Sequence, residues 1–167
     1  MLVSKIVQSI KMAKPIVLGI AGGTGAGKTT LSKAVYNALG GEANCVYLTH
    51  DHYYRDQSHK TLEERSKTNF DHPDSLETEL LVKHLRELKE GGIAVLPTYD
   101  FKTHSRTPVT TLVHPKKIII VEGILIFTNP ELCSELDMKV FVVGFHLIVC
   151  FRSIVPDCCV VLWCGDI

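Results

Sequence analysis

The chain has 167 residues, in which 18 Lys and Arg balance 18 Asp and Glu, a length that suits one domain with a substantial core. A formal net charge of zero provides no overall field toward nucleic acid or an acidic membrane, so neither is expected as a partner. The six cysteines, Cys45, Cys133, Cys150, Cys158, Cys159 and Cys164, include no C-x-x-C pair, which argues against a zinc site or a disulfide framework and for reduced thiols in a cytoplasmic protein.

From the N-terminus, Met1 to Lys14 carries Lys5, Lys11 and Lys14 and no acid. No secretory signal is evident, and this 1–14 extension reads as a short leading helix or a frayed end before Pro15 in preference to a transit peptide. Ile16-Val17-Leu18-Gly19-Ile20-Ala21 is short and apolar, as a buried parallel strand should be. It runs into Gly22-Gly23-Thr24-Gly25-Ala26-Gly27-Lys28-Thr29, which matches the pattern G-x-x-x-x-G-K-[ST] at every fixed position. Thr29 to Leu39 has neither Pro nor Gly and predicts a helix.

Strand, glycine loop and helix form the context in which backbone N–H groups cradle phosphate oxygens, helped by the positive end of the helix dipole. Lys28 is placed to reach terminal phosphates and the Thr29 hydroxyl to bind Mg²⁺, with Thr30 completing the first turn. The bland alternative, a glycine-rich turn, does not require Lys and Thr at these positions. The dinucleotide fingerprint G-x-G-x-x-G is not matched, which disfavours a nicotinamide or flavin enzyme. A nucleoside triphosphate is the expected ligand.

Gly40-Gly41 ends the helix, and Cys45 to Thr49 predicts a second strand leading into His50-Asp51-His52-Tyr53-Tyr54. Residues from Asp56 to Pro73 are polar and read as an irregular loop of functional length. Asp74 or Ser75 is the expected cap of the next helix, with Glu77 in capping-box position. Leu76, Leu80, Leu81, Leu85 and Leu88 recur at helical spacing up to Gly91-Gly92 and read as core. Ile93 to Leu96 predicts a short strand and Pro97 to Arg106 a loop. Lys117 to Val121 is an apolar strand ending at Glu122-Gly123. A short helix from Pro130 to Leu136 and a strand from Met138 to Val143 follow. Alternating strands and helices predict an α/β fold in which a parallel sheet is flanked by helices, a three-layer sandwich of the phosphate-loop NTPase type.

Two carboxylates follow buried strands. Glu122 stands where a group orienting the Mg²⁺ shell belongs, against the alternative of a solvated Glu opening a loop. Asp51 is placed to accept a proton from an attacking hydroxyl, although a water-splitting NTPase would put a Gln or Glu there. An H-x-H metal site at His50 and His52 lacks further ligands, so solvated or hydrogen-bonded histidines are the expectation. In the loops, Phe70 lies beside Asp71, and Tyr99, Phe101, His104 and Arg106 cluster. Such aromatics stack on a base or pin their loops, and an Asp can accept from a ribose diol.

The run Gly19 to Thr30, then Asp51-His52-Tyr53-Tyr54, Asn69-Phe70-Asp71-His72-Pro73-Asp74, Pro97-Thr98-Tyr99-Asp100-Phe101 with His104 and Arg106, and Val121-Glu122-Gly123-Ile124-Leu125 resemble uridine kinases (uridine–cytidine kinases), in the same order. The resemblance runs from Pro15 to Val142, and its later blocks are more selective than the phosphate loop. It implies ATP-dependent phosphorylation of uridine or cytidine at the 5′-hydroxyl, as in pyrimidine salvage, with Mg²⁺, and a homo-oligomer. It implies Asp51 as catalytic base and Asp71 on the ribose hydroxyls, with Tyr54 and Phe70 lining that pocket. Tyr99, Phe101 and His104 would contact the pyrimidine, Arg106 would support their loop, and Lys28, Thr29 and Glu122 would handle phosphates and Mg²⁺. Phosphoribulokinase and pantothenate kinase are related alternatives that the Y-D-F…H block disfavours.

The resemblance implies a domain over 15–142 and stops there. The 143–167 tail is apolar and cysteine-rich, and Arg152 is its only Lys or Arg, where the family continues with an arginine-rich lid. A fold incomplete at its C-terminus is the expectation, with an exposed sheet edge and slow turnover. A nucleotide-binding remnant or regulatory subunit is the rival reading. A membrane anchor is disfavoured because Val140 to Phe151 is too short to span, and the Cys164-Gly165-Asp166-Ile167 end lacks the aliphatic pair of a prenylation signal.

Overall fold

The computed structural model describes residues 14–143, 146–151 and 159–163. The 1–14 extension, apart from Lys14, and the 164–167 end lie outside the described residues, as does the tail segment around Arg152. The elements in order are β1 (Ile16–Gly22), α1 (Lys28–Ala38), β2 (Cys45–Thr49), α2 (Leu62–Ser66), α3 (Thr78–Lys89), β3 (Ala94–Asp100), β4 (Ser105–Val113), β5 (Ile118–Glu122), α4 (Pro130–Glu135), β6 (Met138–Val143), β7 (His146–Phe151) and β8 (Cys159–Trp163). Short 3-10 turns at Gly41–Ala43, His50–Tyr53 and Pro73–Ser75 join them. Among the described residues no helix is long and apolar enough to cross a membrane.

The main sheet has the order β2-β5-β1-β6-β7-β8. Its first four strands are parallel, with Ile16 opposite Ile118 and Thr49 opposite Glu122. These strands are apolar at nearly every position because both faces are covered. The period of two divides them cleanly. Val17, Ala21, Val46, Leu48, Ile119 and Val121 pack with Leu81, Val82, Leu85 and Leu88 of α3 and Leu132 of α4. Leu18, Ile20, Ile120, Val140 and Val142 pack with Leu31 and Val35 of α1. That alternation also puts Tyr47 and Glu122 on the α1 face, which decides their chemistry.

Four expectations change. The expected edge at β6 is paired: β7 runs antiparallel along it, Met138 opposite Phe151, and β8 lies beyond. The predicted loop 97–106 is a hairpin, β3 with β4, forming a separate two-stranded sheet. Its register shifts between Pro97 and Tyr99, where β4 carries Pro108, which has no N–H to pair. Thr98 Oγ1 fills the gap by donating to the Val109 carbonyl at 2.6 Å.

The predicted cap at Asp74 or Ser75 is not used. Pro73–Ser75 is its own 3-10 turn, Leu76 is extended and bridges Tyr54, and α3 begins at Thr78 without a side-chain cap. The Glu77 carboxylate is drawn instead to Arg106 Nη1, 2.6 Å away, so a tertiary ion pair displaces the local motif. The capping box that does form is Thr61 with Glu64 at α2, inside the segment expected to be irregular.

Candidate active site

The glycine loop leaves β1 and enters α1 through Gly25 and Gly27, whose φ values of 77° and 90° lie in the left-handed region that residues with a Cβ avoid. Ala26 N donates to Gly23 O at 3.1 Å, and Leu31 N closes the first helical turn on Gly27 O. No side chain caps α1, so the N–H groups of its first turn remain available to a ligand, at the positive end of the dipole. Gly25, Gly27, Lys28, Thr29 and Thr30 line a cavity of about 260 Å³. Gly22, which ends β1, and Gly23, Thr24 and Ala26 do not line it.

Glu122 ends β5, 4% exposed, and takes three contacts. Thr29 Oγ1 donates to its Oε1 at 3.3 Å, Lys28 Nζ lies 3.9 Å from the same oxygen, and Tyr47 OH donates to Oε2 at 3.3 Å. Tyr47 OH also meets Ser32 Oγ at 2.6 Å, and burial pushes its phenol up to about 12. Two hard oxygens, one carboxylate and one hydroxyl, converge beside the phosphate loop. That donor set suits Mg²⁺, which keeps several waters and takes one or two protein oxygens plus phosphates.

Asp51 sits on the 3-10 turn His50–Tyr53 that follows β2. Burial raises its carboxyl above the usual range; Lys28 and His52 pull it back down and Asp71 pushes it up. Its Oδ1 is buried without a hydrogen-bond partner. The turn is fastened from both ends to α3: His50 Nε2 meets Thr78 Oγ1 at 3.1 Å and Tyr53 OH meets His84 Nδ1 at 3.0 Å, both buried. Gly123 is required here by close approach, because a Cβ would stand 2.5 Å from His50 Cβ.

Beyond Asp51 an aromatic box forms. Tyr54 meets Phe70 edge-on at 5.1 Å and Tyr99 at 5.2 Å, Tyr99 meets Phe101 at 5.2 Å, and the His104 ring stacks on Phe70 at 5.2 Å. His52 lies 6.4 Å from Phe101. Burial raises the Tyr54 phenol to about 12, with the charges of Asp51 and Asp71 adding to the effect. Tyr99 OH is a second buried atom without a partner. His104 has a φ of 49°, the one non-glycine residue in the left-handed region among the described residues. Such strain clusters where neighbours over-determine a functional loop.

Arg106 plays a different part from the aromatics. Its Nε donates to Tyr54 O at 2.8 Å, its Nη2 to Tyr53 O at 3.2 Å, and its Nη1 pairs with Glu77. The guanidinium is thus occupied by protein groups and ties the hairpin to the Asp51 turn. His50 is hydrogen-bonded, within the expectation for it, whereas sequence reasoning missed Tyr47, His84 and Arg65 as supporting residues. Tyr47 had one available signal, an odd-numbered strand position in register with the α1 face; the others had none.

A family model described as the phosphoribulokinase / uridine kinase family matches residues 17–158. A uridine kinase of Clostridium perfringens is 47% identical over 131 residues, covering 78% of this chain and 62% of that protein. A uridine kinase of Clostridium tetani is 49% identical over 129 residues, covering 77% of this chain and 61% of that protein. The chain therefore spans about 62% of the length of the curated relatives it matches. Among solved structures, one described as a possible uridine kinase from Bacillus stearothermophilus superposes with a TM-score of 0.59 at 22% identity, covering 84% of this chain and 77% of that one; at that identity it supports the fold alone.

Proposed function

Because this chain belongs to the phosphoribulokinase / uridine kinase family, we propose that it moves the γ-phosphoryl group of ATP to the 5′-hydroxyl of uridine or cytidine. The observation that carries the reading is the half-buried Asp51 carboxylate, whose buried Oδ1 has no hydrogen-bond partner and on which the charges of Lys28 of the phosphate loop and of Asp71 both act. A buried acceptor without a donor is costly unless a ligand supplies one, and a sugar hydroxyl is such a donor.

In this reading the loop from Gly22 to Thr30 holds the triphosphate through backbone N–H groups, and Lys28 neutralises its terminal charge. Thr29 and Glu122 hold Mg²⁺, which when bound stabilises the charge of the transferring phosphoryl group. Asp51 orients the 5′-hydroxyl and takes its proton; burial raises the basicity of the carboxylate, which favours that transfer. Asp71 accepts from the ribose hydroxyls. Tyr54 and Phe70 enclose the sugar, and Tyr99, Phe101 and His104 the pyrimidine, with Arg106 supporting them through the Tyr53 and Tyr54 carbonyls. The catalytic unit is the 15–142 domain.

The assay is purified chain with Mg-ATP and uridine, cytidine or ribulose 5-phosphate, with Lys28→Ala as control. Nucleoside monophosphate from the wild type and none from the variant supports the proposal; product from ribulose 5-phosphate alone overturns the substrate. A second reading, a nucleotide-binding protein with slow turnover, is favoured by one observation: among the described residues Lys28 is the single cation lining the phosphate-loop cavity. Arginines closing on a transferring phosphoryl group are worth about 10³–10⁵ in rate. ATP binding without product selects that reading.

A further inference from the structure

The hairpin that carries Tyr99, Phe101 and His104 pairs with no strand of the main sheet, so something else must set the height of its turn over the box. We propose, resting on the nucleoside reading above, that Arg65 is a positioning residue for the nucleoside pocket. It clasps the hairpin turn at Thr103 to the loop at 57–60. Its Nε donates to the carbonyls of Gln57 and Lys60, each at 2.9 Å, its Nη2 to Ser58 O at 2.9 Å, and its Nη1 to Thr103 O at 3.0 Å. Thr103 is thirty-eight residues away along the chain, and the other three acceptors belong to one loop.

Both sides of the clasp are braced. Arg65 lies on α2, fixed by the Thr61–Glu64 capping box. Gln57, 6% exposed, accepts from Thr68 Oγ1 at 2.9 Å and Lys60 Nζ at 3.2 Å, which holds the loop carbonyls in place. On the hairpin side, Asp100 accepts from Lys102 N and from Thr103 Oγ1, each at 2.9 Å. Ser105 Oγ reaches Asp56 Oδ1 at 3.3 Å as a second, weaker tie.

Holding the Thr103 carbonyl fixes the peptide plane from which the left-handed His104 departs. The left-handed conformation is unfavourable for a residue with a Cβ, so without a hold the turn relaxes and the His104 ring leaves Phe70. Arg65 also acts on Tyr99 through its charge, lowering the phenol against the effect of burial. Four carbonyls in two loops need the planar five-donor fork of arginine; the three donors of a lysine ammonium, radiating from one atom, cannot reach them together.

The test compares wild type with Arg65→Lys and Arg65→Gln, by kinetics and by amide hydrogen exchange on the ligand-free chain. The expected result is a rise of about tenfold in KM for the nucleoside in either variant, with KM for ATP within about twofold. Faster exchange is expected at residues 101–105 and unchanged exchange in β1 and α1. Equal rises in both KM values, or turn amides exchanging as in wild type, would overturn the clasp. A wild type that phosphorylates no nucleoside defeats the functional reading instead, and the pocket role with it. The exchange comparison then still decides whether Arg65 holds the turn.

Discussion

Asp51 is ionisable and half-buried, with one buried oxygen that lacks a partner, and these properties make opposite predictions for activity and stability. Its folded-state pKa is raised, so the ionised form is disfavoured in the folded protein, and this cost appears as pH rises through 3.8 and persists at neutrality. Asp51→Asn is therefore expected to lower turnover by about 10²–10⁴, to leave nucleoside affinity largely intact, and to keep or raise the melting temperature. Calorimetry beside steady-state kinetics checks this; a variant that phosphorylates normally removes Asp51 from the base role. Gly27, at a φ of 90°, carries a different prediction. Gly27→Ala is expected to destabilise the chain by roughly 1–2 kcal/mol and to abolish the melting-temperature rise that Mg-ADP gives the wild type. The glycine and lysine positions were legible because spacing alone specifies a phosphate cradle. Arg65 was not, because its four acceptors are main-chain carbonyls that any sequence supplies.

The element that matters most for the site is α3, although it contributes no proposed substrate contact. Its buried His84 and Thr78 hold the two ends of the Asp51 turn, and Glu77 N fastens the Tyr53 carbonyl at 2.8 Å. Burial lowers the His50 pKa from 6.5 to about 4 and lowers His84 as well. A histidine depressed in the folded state binds its proton more readily when unfolded. Stability from His50 is thus complete above pH 6.5 and declines progressively as pH falls to about 4, by up to about 3 kcal/mol. Urea midpoints at those two pH values should show the decline, and the His50 ring should titrate by NMR well below 6.5; a ring titrating near 6.5 contradicts it. The α3 leucines were readable from periodicity, but the start of the helix was not, because Arg106 takes the Glu77 carboxylate that a local cap would have used.

At the scale of the molecule, two bodies of unequal support face each other. The six-stranded sheet carries the phosphate loop and Glu122, with helices on both faces of its parallel part. The open end of the β3–β4 hairpin packs into the main core through Ala94, Leu96 and Val113, while its turn end is held by the Tyr54–Leu76–Tyr99 cluster and by Arg65 and Arg106; Val95, Val109 and Leu112 are exposed. Fewer buried contacts at the turn end mean a lower local opening free energy there. Hairpin amides are expected to exchange faster than those of β1 and β5, and uridine to slow the hairpin selectively while Mg-ADP slows the phosphate loop. Uniform protection by either ligand would contradict this division. The sequence alone determined the α/β class and the phosphate loop, because those depend on local backbone needs and apolar periodicity, which any short window displays; the family was carried by a resemblance in its motif blocks. The tertiary structure alone decided the hairpin, the strands beyond β6, the partner of Glu77 and the anchoring of the Asp51 turn. The ion pair and the hydrogen bonds of the turn join residues distant along the chain and leave no spacing to read; the β3–β4 hairpin is local, but Pro97 and Pro108 within its strands read as loop.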